Sequence, residues 1–403
     1  MGLTGLIAFL AMAALVAPQG EGRVMDALVV CGVALTALTA LATSREHRTY
    51  RAAVTRHWAA AVLFAGFVGW ILVQAWSAPD AALAEARGRL SLLVIAALGL
   101  AALTTAAAAL RQGASEAIGT ILGFGVAAGA ATLLLATLSD AGLVAPTGLA
   151  ALSVLAVFAG LEGYRRAQRS VTHTGEPPPV ARRVFLPGAA LTACAVGIAA
   201  AQDLSALLAA AVGVIALGGV AFARARPGER GIVLAFAGGA AGAGLVLFGL
   251  VRLLTGAGAP LPEGLAMGST LALWEQSPWT GIGLDALGPA LGEGQASAAA
   301  QLLAETGLIG AVLALAAAIA GVLVIVLTPD RDRRPSRAGA LCSGLVACLV
   351  TSALTSPALT HAAPALTFAC LLGLSAAYGD RKRLSSAAGH PQSEPAPVGM
   401  QRL

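Results

Sequence analysis

Arg87 and Arg89 in "AALAEARGRL", Arg252 in "LVRLLT" and His361 in "SPALTHAAP" have the chemistry to hold or work on an anionic group. A guanidinium presents a planar fork of donors that grips phosphate-like oxyanions. An imidazole can take or orient a proton near neutral pH. Each also has a plainer role. Arg252 can snorkel from a helix end to a membrane interface. Arg87 and Arg89 can belong to a solvated amphipathic segment with Glu85 as an ion-pair partner, and a lone loop histidine such as His361 is more often simply hydrated.

The elements that must position these groups follow from composition. The chain has 403 residues, 58% hydrophobic and 11% charged, against about 25% charged in ordinary soluble domains. Continuous apolar runs recur, each long enough to cross about 30 Å of hydrocarbon as a helix. The class expected is an all-α, polytopic membrane bundle, since in lipid only helices and closed barrels satisfy their own backbone and these runs do not alternate. Spans are expected near 2–17, 24–43, 58–77, 90–110, 117–138, 148–164, 184–201, 204–223, 232–251, 302–328, 338–356 and 362–379, twelve in all, with a tight hairpin at 201–204. The first is read as a retained span, because it lacks a positive n-region and a clear cleavage site.

Charge distribution sets the expected topology. Of the 25 basic residues, 21 fall in alternate connecting segments such as "SREHRTYRAAVTR", "RARPGER" and "DRDRRPSR"; the other set holds only Arg23, Arg87, Arg89 and Arg252. By the positive-inside rule both termini are cytoplasmic, and the protein belongs in a cytoplasmic membrane, bacterial by its alanine-, glycine- and arginine-rich composition. His361 is then the one histidine facing outward; His47, His57, His173 and His390 face inward. The net charge of +5 is a topology signal and does not point to nucleic acid. A single transmembrane domain, 1–380, is expected, with a Pro-rich cytoplasmic linker at 165–183, a large extracytoplasmic loop at 252–301 between spans nine and ten, and a disordered cytoplasmic tail at 381–403. Cys31, Cys194, Cys342, Cys348 and Cys370 all lie in apolar runs with no Cys-x-x-Cys pair, so neither a disulfide framework nor a zinc site is expected.

The outer loop holds the most distinctive stretch, "WEQSPWTGIGLDALGPALGEG" at 274–294. Pro278 ends a short amphipathic piece, Trp279 suits a headgroup interface, and Gly281 and Gly283 permit a tight turn. Then comes "QLLAETGLIGAVLALAAA". Here Leu302, Leu303 and Glu305 open span ten, with Glu305 placed to complement the positive end of the helix dipole, and Gly307 and Gly310 are expected on one helical face. No string of ionisable residues near a midplane suggests a proton relay, although Glu162 and Asp26 lie near span ends.

Taken in that order, the two motifs resemble those of the O-antigen ligase and O-antigen polymerase-like membrane proteins. Pro278, Gly281 and Gly283 match a "P-x-x-G-x-G" element; Leu303, Glu305, Gly307 and Gly310 match a "His-Asn-x-x-Leu-x-x-Leu-x-Glu-x-Gly-x-x-Gly" run entering a span; "QAWSAPDAALAEARGRLSLL" is similar to the segment after the family's third span. The resemblance implies transfer of a polyprenyl-pyrophosphate-linked glycan to a glycolipid or glycan acceptor at the outer face of the membrane, without metal or cofactor. It implies pyrophosphate binding by Arg252, Arg87 and Arg89, and a histidine that assists the chemistry. The family's His-Asn pair falls on Ala296 and Ser297, and an arginine expected before the proline falls on Glu263. His361 is therefore the candidate replacement for the histidine. The pattern leaves ligase and polymerase unseparated. It also leaves open a non-catalytic relative that binds the lipid-linked substrate or scaffolds envelope assembly, and a small-solute or lipid transporter.

Overall fold

The computed structural model describes residues 57–77, 114–138, 146–174, 180–201, 203–225, 227–255, 267–284, 286–287, 296–326, 337–357, 359 and 362–388. Among them all regular structure is helical, with no strand. In chain order the helices are α1 (Trp58–Ser77), α2 (Ala114–Leu138), α3 (Pro146–Thr174), α4 (Val180–Ala200), α5 (Leu204–Arg224), a 3-10 turn (Pro227–Glu229), α6 (Arg230–Thr255), α7 (Met267–Gln276), α8 (Ala298–Val326), α9 (Arg337–Thr355) and α10 (Ala362–Ala388). Five segments, in α3, α5, the 3-10 turn with α6, α8 and α9, are long and apolar enough to cross a membrane. The expected spans near 2–17, 24–43 and 90–110 lie outside the described residues.

The core is built around α3. Residues 146–158 of α3 are buried without a break, because α2, α4, α5, α9 and α10 all pack on it. Side-chain hydroxyls enter this interior by bonding back onto their own helix: Ser153 Oγ donates to Leu149 O at 2.9 Å and Thr132 Oγ1 to Ala128 O at 2.8 Å. Small residues set the closest seam. Gly213 on α5 faces Gly344 on α9, and a Cβ added at Gly213 would lie 2.7 Å from Val154 Cγ2 and 2.9 Å from Gly344 O. The connection between α4 and α5 is short as expected, but the two do not pack as a close hairpin: α5 lies chiefly against α9 and α6. Asp203 caps α5 by accepting from the amides of Ser205 (2.8 Å) and Ala206 (3.0 Å).

Outward faces are apolar as well. Val62, Ile215, Val246 and Leu315 are all more than half exposed, the surface expected where lipid rather than water is the neighbour.

The boundaries differ from expectation in four places. α3 continues to Thr174 and α4 begins at Val180, so most of the expected linker 165–183 is helix. Here Arg165 holds the chain against its neighbours, bonding the buried Glu162 at 3.3 Å and lying 3.6 Å from Glu229. α10 runs to Ala388, past the expected start of the tail at 381, since "DRKRLSSAA" contains good helix formers and nothing to stop a helix. The loop at 252–301 is not all irregular: α6 extends to Thr255 and α7 lies within it. Finally, α8 starts at Ala298 and is broken at Gly307, where a continuous span from 302 was expected.

Candidate functional site

The break in α8 is where the two sequence motifs meet. α7 buries Thr270 and half-buries Leu273 and Trp274 against α8, then stops at Ser277–Pro278. Trp274 Nε1 reaches back to donate to Pro278 O at 3.1 Å, and Gly281 N donates to Ser277 O at 2.8 Å, closing the turn. Gly281 and Gly283 have φ of 73° and 98°, in the left-handed region that costs other residues strain.

This turn inserts into the hydrogen-bond ladder of α8. In an unbroken helix the amides of Leu308 and Ile309 would donate to the carbonyls of Ala304 and Glu305. Gly307, with φ 67° and ψ −175°, swings them away. Leu308 N donates instead to Pro278 O at 2.9 Å, and Ile309 N to Trp279 O at 3.4 Å. The two released carbonyls are taken by the turn: Ile282 N donates to Ala304 O at 2.9 Å and Gly283 N to Glu305 O at 3.1 Å. Two helical bonds are thus replaced by four bonds between segments. That matters because a buried backbone group left unpaired costs about 1–3 kcal/mol.

The glycines make this approach possible. A Cβ at Gly281 would run into the backbone of Glu305 and Gly307; one at Gly307 would run into the backbone of Trp279, Thr280 and Gly281. Gly310 keeps room one turn on, where a Cβ would meet Thr306 and lie 3.1 Å from Trp70 Cδ1. The expectation that Gly307 and Gly310 share one face of a continuous helix is therefore corrected: Gly307 interrupts the helix to admit the turn.

α1 clamps the junction from the other side. Trp70 Nε1 donates to Thr306 O at 3.0 Å, and Gln74 Nε2 donates to Thr280 O and, at 3.5 Å, to Glu305 O. Neither Trp70 nor Gln74 stands out in the sequence as a site residue. The available signal was Gln74 itself, an amide inside the otherwise apolar "WILVQAW".

Glu305 is buried and accepts from Gln301 Nε2 at 3.0 Å. Its expected place in the first turn of a span is also corrected. It is the eighth residue of α8 and lies at the end of the short half-helix before the break, beyond the helix's first turn.

Ala296, where the motif's histidine would fall, is buried in an apolar cluster with Leu287 and Ala304. Ser297 is fully buried and caps α8, its Oγ accepting from Ala300 N at 3.3 Å. Leu303 is half-buried in the short half-helix. The site therefore unites Pro278, Gly281 and Gly283 with Glu305, Gly307 and Gly310. Arg252 lies in the last turn of α6, with its side chain outside the described set. Arg87, Arg89 and His361 lie outside the described residues, so the structure does not place them at this junction. No disulfide joins Cys194, Cys342, Cys348 and Cys370, all of which are buried in the helices.

No known family model matches the chain, and no curated protein matches it.

Proposed function

We propose that this chain is an O-antigen ligase-like protein of the bacterial cytoplasmic membrane, with twelve spans and cytoplasmic termini, that engages a polyprenyl-pyrophosphate-linked glycan at the outer face. One observation carries the reading. Two stretches that resemble that family's motifs, separated in sequence, form a single hydrogen-bonded junction. An incidental match of glycines would not require each of Gly281 and Gly307 to make room for the other's backbone. The outward arginines Arg252, Arg87 and Arg89 supply charge for a pyrophosphate, and the activated leaving group needs no metal or cofactor. In the transfer reading, an acceptor hydroxyl attacks the anomeric carbon, the bond from that carbon to the phosphate oxygen breaks and polyprenyl pyrophosphate leaves, with His361 the candidate group to take the hydroxyl proton.

A second reading, binding without transfer, is favoured by Ala296. An alanine packed among Leu287 and Ala304 cannot take a proton, and Ser297 is occupied as a helix cap. One experiment separates the two. Purified protein is given a polyprenyl-pyrophosphate glycan and candidate acceptors, beside a relative with the complete motif. Product formation supports transfer; binding without product supports the second reading; no binding at all removes both.

Arg252 sharpens the test. Arg252→Ala is expected to weaken polyprenyl-pyrophosphate binding about tenfold, or about 1.4 kcal/mol. Arg252→Lys should restore only part of it, because an ammonium keeps the charge but loses the planar fork. Unchanged affinity in folded Arg252→Ala protein reduces Arg252 to an interfacial anchor.

A further inference from the structure

The break at Gly307 divides α8 into two parts of different character. The stretch 298–306 carries Gln301, the buried Glu305 and Thr306, whereas 308–326 is wholly apolar apart from its backbone. At about 1.5 Å per residue the second part is roughly 28 Å long, close to the ~30 Å hydrocarbon thickness of a bilayer. Its outward stripe runs through Leu308, Val312, Leu315, Ile319 and Leu323, all between 38% and 61% exposed. That spacing of three and four residues is one continuous helical face.

Trp279 sits at the top of this stripe. The amide of Ile309 donates to its carbonyl, which fixes the residue beside the first turn of the apolar half-helix. Its side chain is nonetheless 64% exposed, and Leu308 and Ile309 next to it are 38% and 37% exposed. An exposed indole on a backbone fixed at the end of an apolar stripe suits the boundary between headgroups and hydrocarbon, where its ring is buried and its N–H stays hydrated.

We propose that Trp279, with Leu308 and Ile309 beneath it, is a lipid-binding anchor that inserts into the headgroup layer and sets the Gly307 break at the edge of the hydrocarbon. The partner is the lipid leaflet at that end of the bundle. The half-helix 298–306, with Gln301 and Glu305, then stands in the headgroup layer and not in the apolar interior. This keeps a carboxylate and the exchanged backbone bonds out of the region where polar groups cost most. The proposal rests on α8 crossing the membrane and is independent of the glycan reading.

The test places a nitroxide label singly at 279, 315 and 168 in a variant whose five cysteines are replaced by alanine, reconstituted in nanodiscs of phosphatidylethanolamine and phosphatidylglycerol. Accessibility to oxygen and to a water-soluble nickel chelate reports depth. Position 315 should be reached by oxygen and shielded from nickel, exposed position 168 the reverse, and position 279 intermediate. If 315 is open to nickel, α8 does not cross the bilayer and the membrane premise fails. If 315 is shielded but 279 is as open as 168, the anchor is overturned and the crossing stands. Should the cysteine-free variant fail to insert, a photo-crosslinking benzophenone residue at 279 in the native sequence gives the same decision. Lipid adducts support the anchor, while crosslinks confined to another segment of this chain or to a second copy overturn it.

Discussion

Around Gly213 and Gly344, α5 and α9 approach as continuous helices and the missing side chains simply let two surfaces come close. At Gly307 the helix is interrupted, and its freed amides and carbonyls are paired with a turn. Both places are buried and both depend on glycine, but for different reasons. The α5–α9 seam is a matter of volume: a Cβ there meets the facing helix, while each helix stays continuous. The junction is a matter of backbone conformation and partner exchange. Its bonds form together or not at all, because withdrawing the turn leaves Ala304, Glu305, Leu308 and Ile309 without these partners at once.

The strongest way to break this contrast is Gly281→Ala or Gly307→Ala. Each adds a Cβ against backbone at a residue with positive φ, and each is expected to cost about 3 kcal/mol. Limited proteolysis should then cut within 277–283 at least about tenfold faster, in step with a lower Tm in detergent. A protected turn in the folded variant would mean that the exchanged bonds do not hold it. Gly213→Ala is the counterpart at the seam. Its Cβ would press on Val154, Cys348 and Gly344, an overpacking cost of about 1–3 kcal/mol; Tm should fall while cleavage at the turn stays at the native rate.

Gln74→Leu tests the clamp separately from the turn. It removes donors to the carbonyls of Thr280 and Glu305 at an expected cost of about 1–2 kcal/mol. The change should appear as faster amide exchange at Ile282 and Gly283 before any change in Tm, and equal slowing or no change at those amides would count against the clamp. The smallest effect is expected from Ser297→Ala, which removes the hydroxyl that accepts from Ala300 N. A cap loss of about 1 kcal/mol should quicken exchange at Ala300 and leave the turn intact.

Much of this was legible from sequence. The apolar run "GLAALSVLAVFAG" marks α3 as a helix apolar enough to cross a membrane, and the "QSPWTGIG" stretch marks a helix end followed by a glycine turn. Both are local signals, carried by residues within one or two turns of each other. That α3 is buried while α8 is largely exposed came only from packing. Less legible were the true start of α8 and the place of Glu305, because "AAAQLLAETGLIGAVLALAAA" is helix-forming throughout and Gly307 within it looks like any small residue of a membrane helix. Only a partner from elsewhere gives that glycine a reason to leave the helix.

The sequence by itself determined the all-helical architecture, the apolar segments capable of crossing a membrane, and the glycines at which the chain can turn, because hydrophobicity, charge placement and φ freedom are properties of residues and their near neighbours. The tertiary structure alone decided that the turn at 277–283 enters the ladder of α8, that Ala296 faces an apolar cluster, and that Trp70 and Gln74 join a junction built from residues far along the chain. Gln74 and Thr280 are 206 positions apart and Trp70 and Thr306 are 236 apart. Such hydrogen bonds exist only once packing has brought the helices together, since each polar group finds its partner across space and not along the sequence.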